Sequence, residues 1–312
     1  MRKSGLSNNG KRELVKSLLV SISIALIIRA TVLYPFTIPT PSMENTLLVG
    51  DYMLANKFVY GLRSPDWIGI PRTKIGFEIP YIQTWGFRNP EQGDLVIFKN
   101  PRDVSENWVK RCIAVSGDTV QIINKKVYVN GMLFKASGVQ HRDFLLDFDI
   151  NQKQVYPPST GNIHNYGPVR IPCPGERIEF TNSNRDTWVT WFQIMIYEGC
   201  TIQVTSKPYP TNLTSGNRDQ WIGYINSLSL NHFLVNGKTL VNYEYEIKDR
   251  QYFVMGDNRD NSFDSRFFGF LPHRYVIGEP LIVLFSIDKD VPFYRLFHKI
   301  RWDRFLKLSG NL

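Results

Sequence analysis

The chain has 312 residues, of which 43% are hydrophobic, 13% aromatic and 21% charged, a composition that excludes disordered, collagen-like and coiled-coil chains and leaves room for a sizeable core. Its net charge of +9 is concentrated at the ends: residues 1–16 carry +4 and residues 288–307 carry +3, leaving +2 for everything between. A nucleic-acid reader gathers basic residues on its folded binding face, so nucleic acid is not expected as a partner.

In chain order, the first element is the uncharged run Ser17–Ile28, preceded by Arg2, Lys3, Lys11, Arg12 and Lys16 and followed by Arg29. A spanning helix needs about 20 residues. Leu14–Phe36 reaches that length if Arg29 snorkels at the far interface. A cleaved leader would end in small residues, whereas Tyr34, Pro35 and Phe36 stand there, and a core helix has no use for the basic cluster. The expectation is a basic cytosolic N-terminus over 1–13, a single uncleaved transmembrane anchor over 14–35, and all later residues outside the membrane.

The strand-like runs that follow are rich in β-branched and aromatic residues: DYMLANKFVY, GDLVIFK, NWVKRCIAV, DTVQIIN, QYFVMGD and YVIGEPLIVLFS. Asn130-Gly131 and Asn236-Gly237 mark two hairpins, because this dipeptide accepts the positive φ of primed turns. The shared Val-Asn-Gly is too short to establish a repeat. The predicted fold is mainly β: a body formed by 36–134 and 250–302, with an extended loop or hairpin at 61–90, an inserted second β subdomain at 135–249 where Pro, Gly, Asn and Tyr accumulate, and a tail at 303–312. Near the C-terminus, FYRLFHKIRWDRFLKL alternates basic and apolar residues at helical spacing, which suits either lipid headgroups or a surface helix packed on the body.

Cys112, Cys173 and Cys200 lack metal-site spacing; Cys173 and Cys200 either bridge or stay free. The five histidines form no HExxH motif, and GxSxG, Walker and Rossmann patterns are missing. No metal and no cofactor is expected. Ser286 and Lys289 match Ser-x-x-Lys without its companion motifs. Three segments are denser in chemistry: PTPSMENTLLVGD (39–51), VKRCIAVSGD (109–118) and MGDNRDNSFDSRFFG (255–269). Singly, each has a plain reading as a turn cap, a solvating charge on an edge strand, and a hydrogen-bonded loop. Jointly they offer a serine and a lysine on an apolar strand. A serine hydroxyl needs a base to attack, and burial can make a lysine neutral enough to be that base.

Together, and behind an N-terminal anchor, these segments resemble bacterial type I signal peptidases, membrane-anchored Ser/Lys endopeptidases. The resemblance covers about 14–60, 91–135 and 250–287 and leaves most of the insertion unmatched. It implies a membrane-anchored serine endopeptidase whose nucleophile is Ser42 and general base Lys110, with an oxyanion hole formed by Ser42 N–H and the Thr40 hydroxyl. By the same resemblance Ser262 orients the lysine, while Asp264 and Arg266 form a charged pair bracing the site in the loop that also holds Asp257 to Asp260. Phe36, Ile38, Met43, Leu47 and Val109 either line shallow substrate pockets or are ordinary core. Trp67, Trp85 and Phe87 of the 61–90 loop would reach the outer leaflet. The implied partners are exported preproteins with small residues at positions −1 and −3 and the lipid bilayer; the implied location is the inner membrane, single-pass, with the catalytic domain periplasmic. Asn45 and Ser116 depart from the family, since many members have proline at both places. Two rivals remain: a non-catalytic membrane-anchored secretion scaffold of the same fold, and a self-cleaving regulator.

Overall fold

The computed structural model describes residues 8–61, 63–64, 67–69, 76–80, 82–84, 86–141, 155–205 and 211–311. Helix α1 (Asn8–Thr31) opens the chain. Leu14, Val15, Leu18, Leu19, Val20, Ile22 and Ile24 on it are 47–59% exposed. Among the described residues no helix is long and apolar enough to cross a membrane. Of the anchor expected at 14–35, the side chains of 25–31 lie outside the described residues, and its last four residues, 32–35, are not helical. Leu33–Thr37 is strand β1, as suits a segment with two aromatics and with Pro35, which a helix interior excludes.

β1 pairs antiparallel with β2 (Asp51–Asn56), Leu33 opposite Asn56 and Thr37 opposite Tyr52. Within the expected loop at 61–90, β3 (Trp67–Gly69) and β4 (Gly76–Glu78) form a small hairpin; Trp85 and the side chain of Trp67 lie outside the described residues. β5 (Leu95–Asn100) and β6 (Asp103–Val115) follow, then the meander β7 (Thr119–Ile123), β8 (Lys126–Val129) and β9 (Met132–Leu133). The stretch 155–249 holds β10 (Tyr166–Arg170), β11 (Arg177–Glu179), α2 (Arg185–Tyr197), β12 (Ile202–Val204), β13 (Thr211–Leu213) and α3 (Arg218–Ser227). It closes with β14 (Phe233–Val235), β15 (Lys238–Thr239) and β16 (Glu244–Glu246). β17 (Gln251–Met255), α4 (Ser265–Phe268), β18 (Leu271–Pro272), β19 (Val276–Ser286), α5 (Leu296–Lys299) and β20 (Lys307–Leu308) complete the chain.

The fold is mainly β. Its largest sheet runs β1-β2-β19-β5-β6-β17-β18, with β20 also pairing β19. Strand alternation sends neighbouring residues to different cores. Ile97 and Ile277 join Ile38, Met43, Leu47 and Val109, whereas Val96, Phe98 and Val276 join Cys112, Tyr252 and Phe268. A third, larger core gathers β7, β8, β10, α2 and α3 around Trp188, Phe192 and Trp221.

The structure also reveals a repeat. Thr-x-x-Asn-Arg-Asp-x-Trp occurs at 181–188 and again at 214–221. Each copy follows a short strand and opens a helix. Thr181 and Thr214 each cap a 3-10 turn in a reciprocal capping box with Asn184 and Asn217. Each asparagine accepts the indole N–H of its tryptophan, at 2.9 and 3.0 Å, and donates to the preceding strand, at 2.8 Å in both. In sequence the two copies share too few residues to stand out; equivalent hydrogen bonds make them evident.

Candidate active site

After β1 the chain must turn back to enter β2. Pro41 starts the 3-10 turn Pro41–Met43, where its fixed φ and missing N–H cost nothing. Ser42 sits in that turn, 8% exposed. Asn258 fastens the turn from outside: its N–H donates to Ser42 O at 3.1 Å, and its Nδ2 donates to Pro41 O and to Glu44 Oε2 at 3.2 and 3.3 Å. Asn45 follows with φ of 80°. Proline, locked near −65°, cannot adopt that conformation, so the departure from many family members is built into this turn. Asn45 Nδ2 also donates to Gln140 Oε1 at 2.9 Å.

Lys110 lies in β6 opposite Val96 and is 4% exposed. Its Nζ is 2.5 Å from Ser42 Oγ and 5.9 Å from the Trp108 ring centroid. Burial brings its pKa down to about 8 from the ordinary 10.5; Asp264 and Asp257 oppose this and Arg266 assists it. Thr40 Oγ1 stands 3.4 Å from Ser42 Oγ, at the exposed end of the turn.

The loop after β17 closes over both groups. Gly256 permits this approach, because a Cβ there would come within 2.3 Å of Ser262 Oγ and 2.5 Å of Ser42 O. Its N–H donates to Asp264 Oδ2 at 3.1 Å. Asp264 also accepts Arg266 Nε at 2.9 Å on Oδ1 and an Arg266 Nη at 2.9 Å on Oδ2. Burial alone would raise the Asp264 carboxyl, but the Arg266 charge and these hydrogen bonds outweigh it and hold the carboxyl below its ordinary range. Beside this pair, Arg111 donates two bonds to Asp257, at 2.8 and 2.6 Å, and Thr46 Oγ1 donates to Asp257 Oδ2 at 2.6 Å. The bond expected between Ser262 and Lys110 is not formed: Ser262 Oγ, in a residue 1% exposed, has no hydrogen-bond partner among the described residues.

Ile38, Met43, Leu47 and Val109 come together as buried members of one cluster, and half-buried Phe36 packs against it. Ser116 accepts Gln251 N–H at 2.8 Å and donates to Gln251 O at 3.2 Å, tying the end of β6 to β17. Ser286 Oγ accepts from Arg301 at 3.1 Å, a structural contact. The three cysteines are unbridged. Among the described residues no group of His, Cys, Asp and Glu could hold a metal. Residues that sequence reasoning missed are Gly256, Asn258 as an anchor of the turn, Gln140, and the pair Asp51–Arg304, whose bonds are 3.0 and 2.6 Å. The charged loop composition at 256–260 pointed to the region, but nothing in sequence linked Gln140 or Arg304 to it.

A family model described as "Signal peptidase, peptidase S26" matches residues 11–163 and 171–285 of the chain. Signal peptidase I of Buchnera aphidicola subsp. Acyrthosiphon pisum is 27% identical over 266 residues, covering 85% of this chain and 72% of that protein. Signal peptidase I of Aquifex aeolicus is 26% identical over 286 residues, covering 88% and 84%. Signal peptidase I of Rickettsia typhi is 27% identical over 300 residues, covering 92% and 88%.

Proposed function

The chain belongs to the signal peptidase family, peptidase S26, and on that premise we propose that it removes N-terminal signal peptides from exported preproteins, with Ser42 as nucleophile and Lys110 as general base. The observation that carries the reading is the 2.5 Å contact between Lys110 Nζ and Ser42 Oγ on a lysine whose burial favours the neutral amine. In that neutral form the hydrogen bond reverses, and Ser42 O–H donates to Nζ.

Lys110 takes the hydroxyl proton as Ser42 Oγ attacks the scissile carbonyl. The developing oxyanion is met by Ser42 N–H and the Thr40 hydroxyl. Collapse passes the proton from Lys110 to the leaving amine and leaves an ester on Ser42. Lys110 then deprotonates a water that hydrolyses the ester and regenerates the serine. Asp264 and Arg266 support the lysine, and Ser262 joins them once the substrate has reordered the site. The substrate lies extended beside the serine and lysine segments. Its small residues at −1 and −3 lie over the cluster of Ile38, Met43, Leu47 and Val109, where half-buried Phe36 and the edge of Val109 offer the accessible apolar surface and fully buried Met43 and Leu47 form the floor beneath.

The basic N-terminus and the exposed aliphatic residues of α1 support a single-pass anchor in the inner membrane, N-terminus cytosolic, with the body periplasmic beside the bilayer. Phe87, 76% exposed, belongs to the surface that faces the lipid in this reading. Residues 36–134 and 250–302 form the catalytic domain and 135–249 the insertion.

The test is cleavage of a preprotein with an Ala-x-Ala junction by the purified full chain in detergent, beside Ser42→Ala and Lys110→Ala, with circular dichroism confirming the fold. Cleavage lost in both variants supports the dyad. An inactive wild type, or variants that cut as well as it does, overturns the assignment and makes the scaffold reading the one to pursue, and cleavage of the chain itself without cleavage of preproteins favours the self-cleaving regulator.

A further inference from the structure

A helix of four residues cannot satisfy its own last carbonyls, and α4 is such a helix. All three of the carbonyls at its end are taken by the stretch 155–249. Tyr156 N–H donates to Arg266 O at 2.7 Å. The Arg218 guanidinium donates to Phe267 O at 2.5 Å. Tyr197 O–H donates to Phe268 O at 3.3 Å. Arg102, from the turn between β5 and β6, adds a longer bond of 3.5 Å to Phe267 O. The donors are themselves linked: Arg218 lies 4.5 Å over the Tyr156 ring, and Tyr156 O–H donates to Val189 O in α2. Gln193, one turn before Tyr197, covers Gly269, where a Cβ would sit 2.0 Å from Gln193 Oε1.

We propose that Tyr156, Tyr197 and Arg218 are positioning residues, a clamp through which the insertion holds α4 and so fixes the Asp264–Arg266 pair against Lys110. The inference rests on reading Lys110 as the general base. Arg266 is the joint of the device: its carbonyl is held by Tyr156, its neighbour's by Arg218, and its guanidinium by Asp264 and Arg259 O. The charged groups that act on Lys110 are Asp264, Asp257 and Arg266, and Ser42 faces it at 2.5 Å. Loosening α4 withdraws the Arg266 guanidinium and leaves Asp264 without its partner beside Lys110. An unpaired carboxylate favours the ammonium form, so the lysine holds its proton to higher pH.

The repeat supplies an internal control. Arg185 occupies the same motif position as Arg218, but it donates to Ile225 O and Leu228 O at the end of α3, at 2.5 and 2.8 Å. Removing it deletes the same kind of bond without touching α4.

The experiment measures the protonation of Lys110 by competitive acetylation across pH, read by mass spectrometry on the full chain, in wild type, Arg218→Ala, Tyr197→Phe and Arg185→Ala. The expected result is an upward shift of the Lys110 midpoint by about half a pH unit in Arg218→Ala and Tyr197→Phe, and none in Arg185→Ala. In the preprotein assay at pH 7 the same two variants should lose about threefold in kcat, as that shift in the neutral fraction requires, with little change in KM. Tyr197→Phe keeps the ring and its packing, so it reports even if Arg218→Ala folds poorly. Midpoints unchanged in both, or shifted equally in Arg185→Ala, would overturn the clamp. Because the labelling needs no turnover, an inactive wild type would sink the peptidase reading alone.

Discussion

Lys110 and Arg111 are neighbours on β6, and of the two only the arginine has an ion-pair partner among the described residues. Arg111 is paired with the buried carboxylate of Asp257 through bonds of 2.8 and 2.6 Å, whereas Lys110, 4% exposed, makes no ion pair among the described residues and faces Ser42 Oγ at 2.5 Å. The first cation is neutralised by a partner; the second loses its charge most readily by losing a proton. Activity should therefore follow the neutral fraction of Lys110. We expect kcat/KM for preprotein cleavage to rise with one-proton slope and level off above about pH 8. Lys110→Arg, which keeps a cation that cannot be deprotonated, should lose roughly 10³-fold or more at every pH. A limb near pH 6 in wild type, or an active arginine variant, would exclude Lys110 as the base.

The same burial carries a stability cost. Lys110 titrates at about 8 in the folded chain against 10.5 as its ordinary value. Between those pH values the unfolded chain binds the extra proton, so stability rises with pH across that window. Below it the penalty is complete, on the order of 3 kcal/mol. Lys110→Met should accordingly be more stable than wild type at pH 7, by up to that amount, and the gain should disappear above about pH 10.5. Urea unfolding at pH 7 and pH 10.5 checks it; a variant that is less stable at neutral pH would contradict the argument.

Gly256 sits where Ser42 O and Ser262 Oγ converge, and a Cβ would meet them at 2.5 and 2.3 Å. The serine hydroxyl could swing aside, but the Ser42 carbonyl is backbone and is already held by Asn258 N–H at 3.1 Å. Gly256→Ala should push the nucleophile turn away from β17, destabilising the chain by about 1–3 kcal/mol and lowering kcat on the order of 10²-fold. Thermal unfolding and steady-state kinetics measure the two effects. A stable, fully active alanine variant would mean that the turn can move freely without harm.

Much of this site was legible in sequence because its chemistry lies in short contiguous segments. Ser42, Lys110 and the loop at 255–269 each have a plain reading alone but point to one chemistry together, and the strands that bring them together have strong β-branched and aromatic patterns. Supporting contacts were not legible, because they join residues far apart in sequence through geometry that no local pattern encodes. Gln140 reaches Asn45 across 95 positions, and the three donors to α4 come from a stretch whose composition resembled loops. The motif at 181–188 and 214–221 is not evident in sequence because what its two copies share is a hydrogen-bonding scheme of Thr, Asn and Trp rather than hydrophobic periodicity. The C-terminal run at helical spacing resolves into 3-10 turns at Phe293–Arg295 and Trp302–Arg304, the single turn of α5 between them, and the short strand β20, which leaves Tyr294, Phe297 and Trp302 exposed.

Arg304, from the stretch 303–312 that reads as a tail, is 6% exposed and pairs with Asp51, which is fully buried. Its Nε and one Nη donate to the two carboxylate oxygens at 3.0 and 2.6 Å, and it donates to Thr46 O at 3.0 Å, just beyond the nucleophile turn. Removing one member of a buried pair leaves the other charge unpaired, and that residual charge dominates the loss. Arg304→Met should cost about 3–5 kcal/mol, although it lies far from Ser42 in sequence. Asp51 also accepts Leu48 N–H at 2.8 Å, so the neutral partner must keep an acceptor. Asp51→Asn does so, and the double variant Asp51→Asn with Arg304→Met should regain about 2 kcal/mol over Arg304→Met alone. Urea unfolding of the four proteins gives the coupling directly. If the two losses simply add, the pair is solvated enough to contribute little, and the C-terminal segment is held by packing instead.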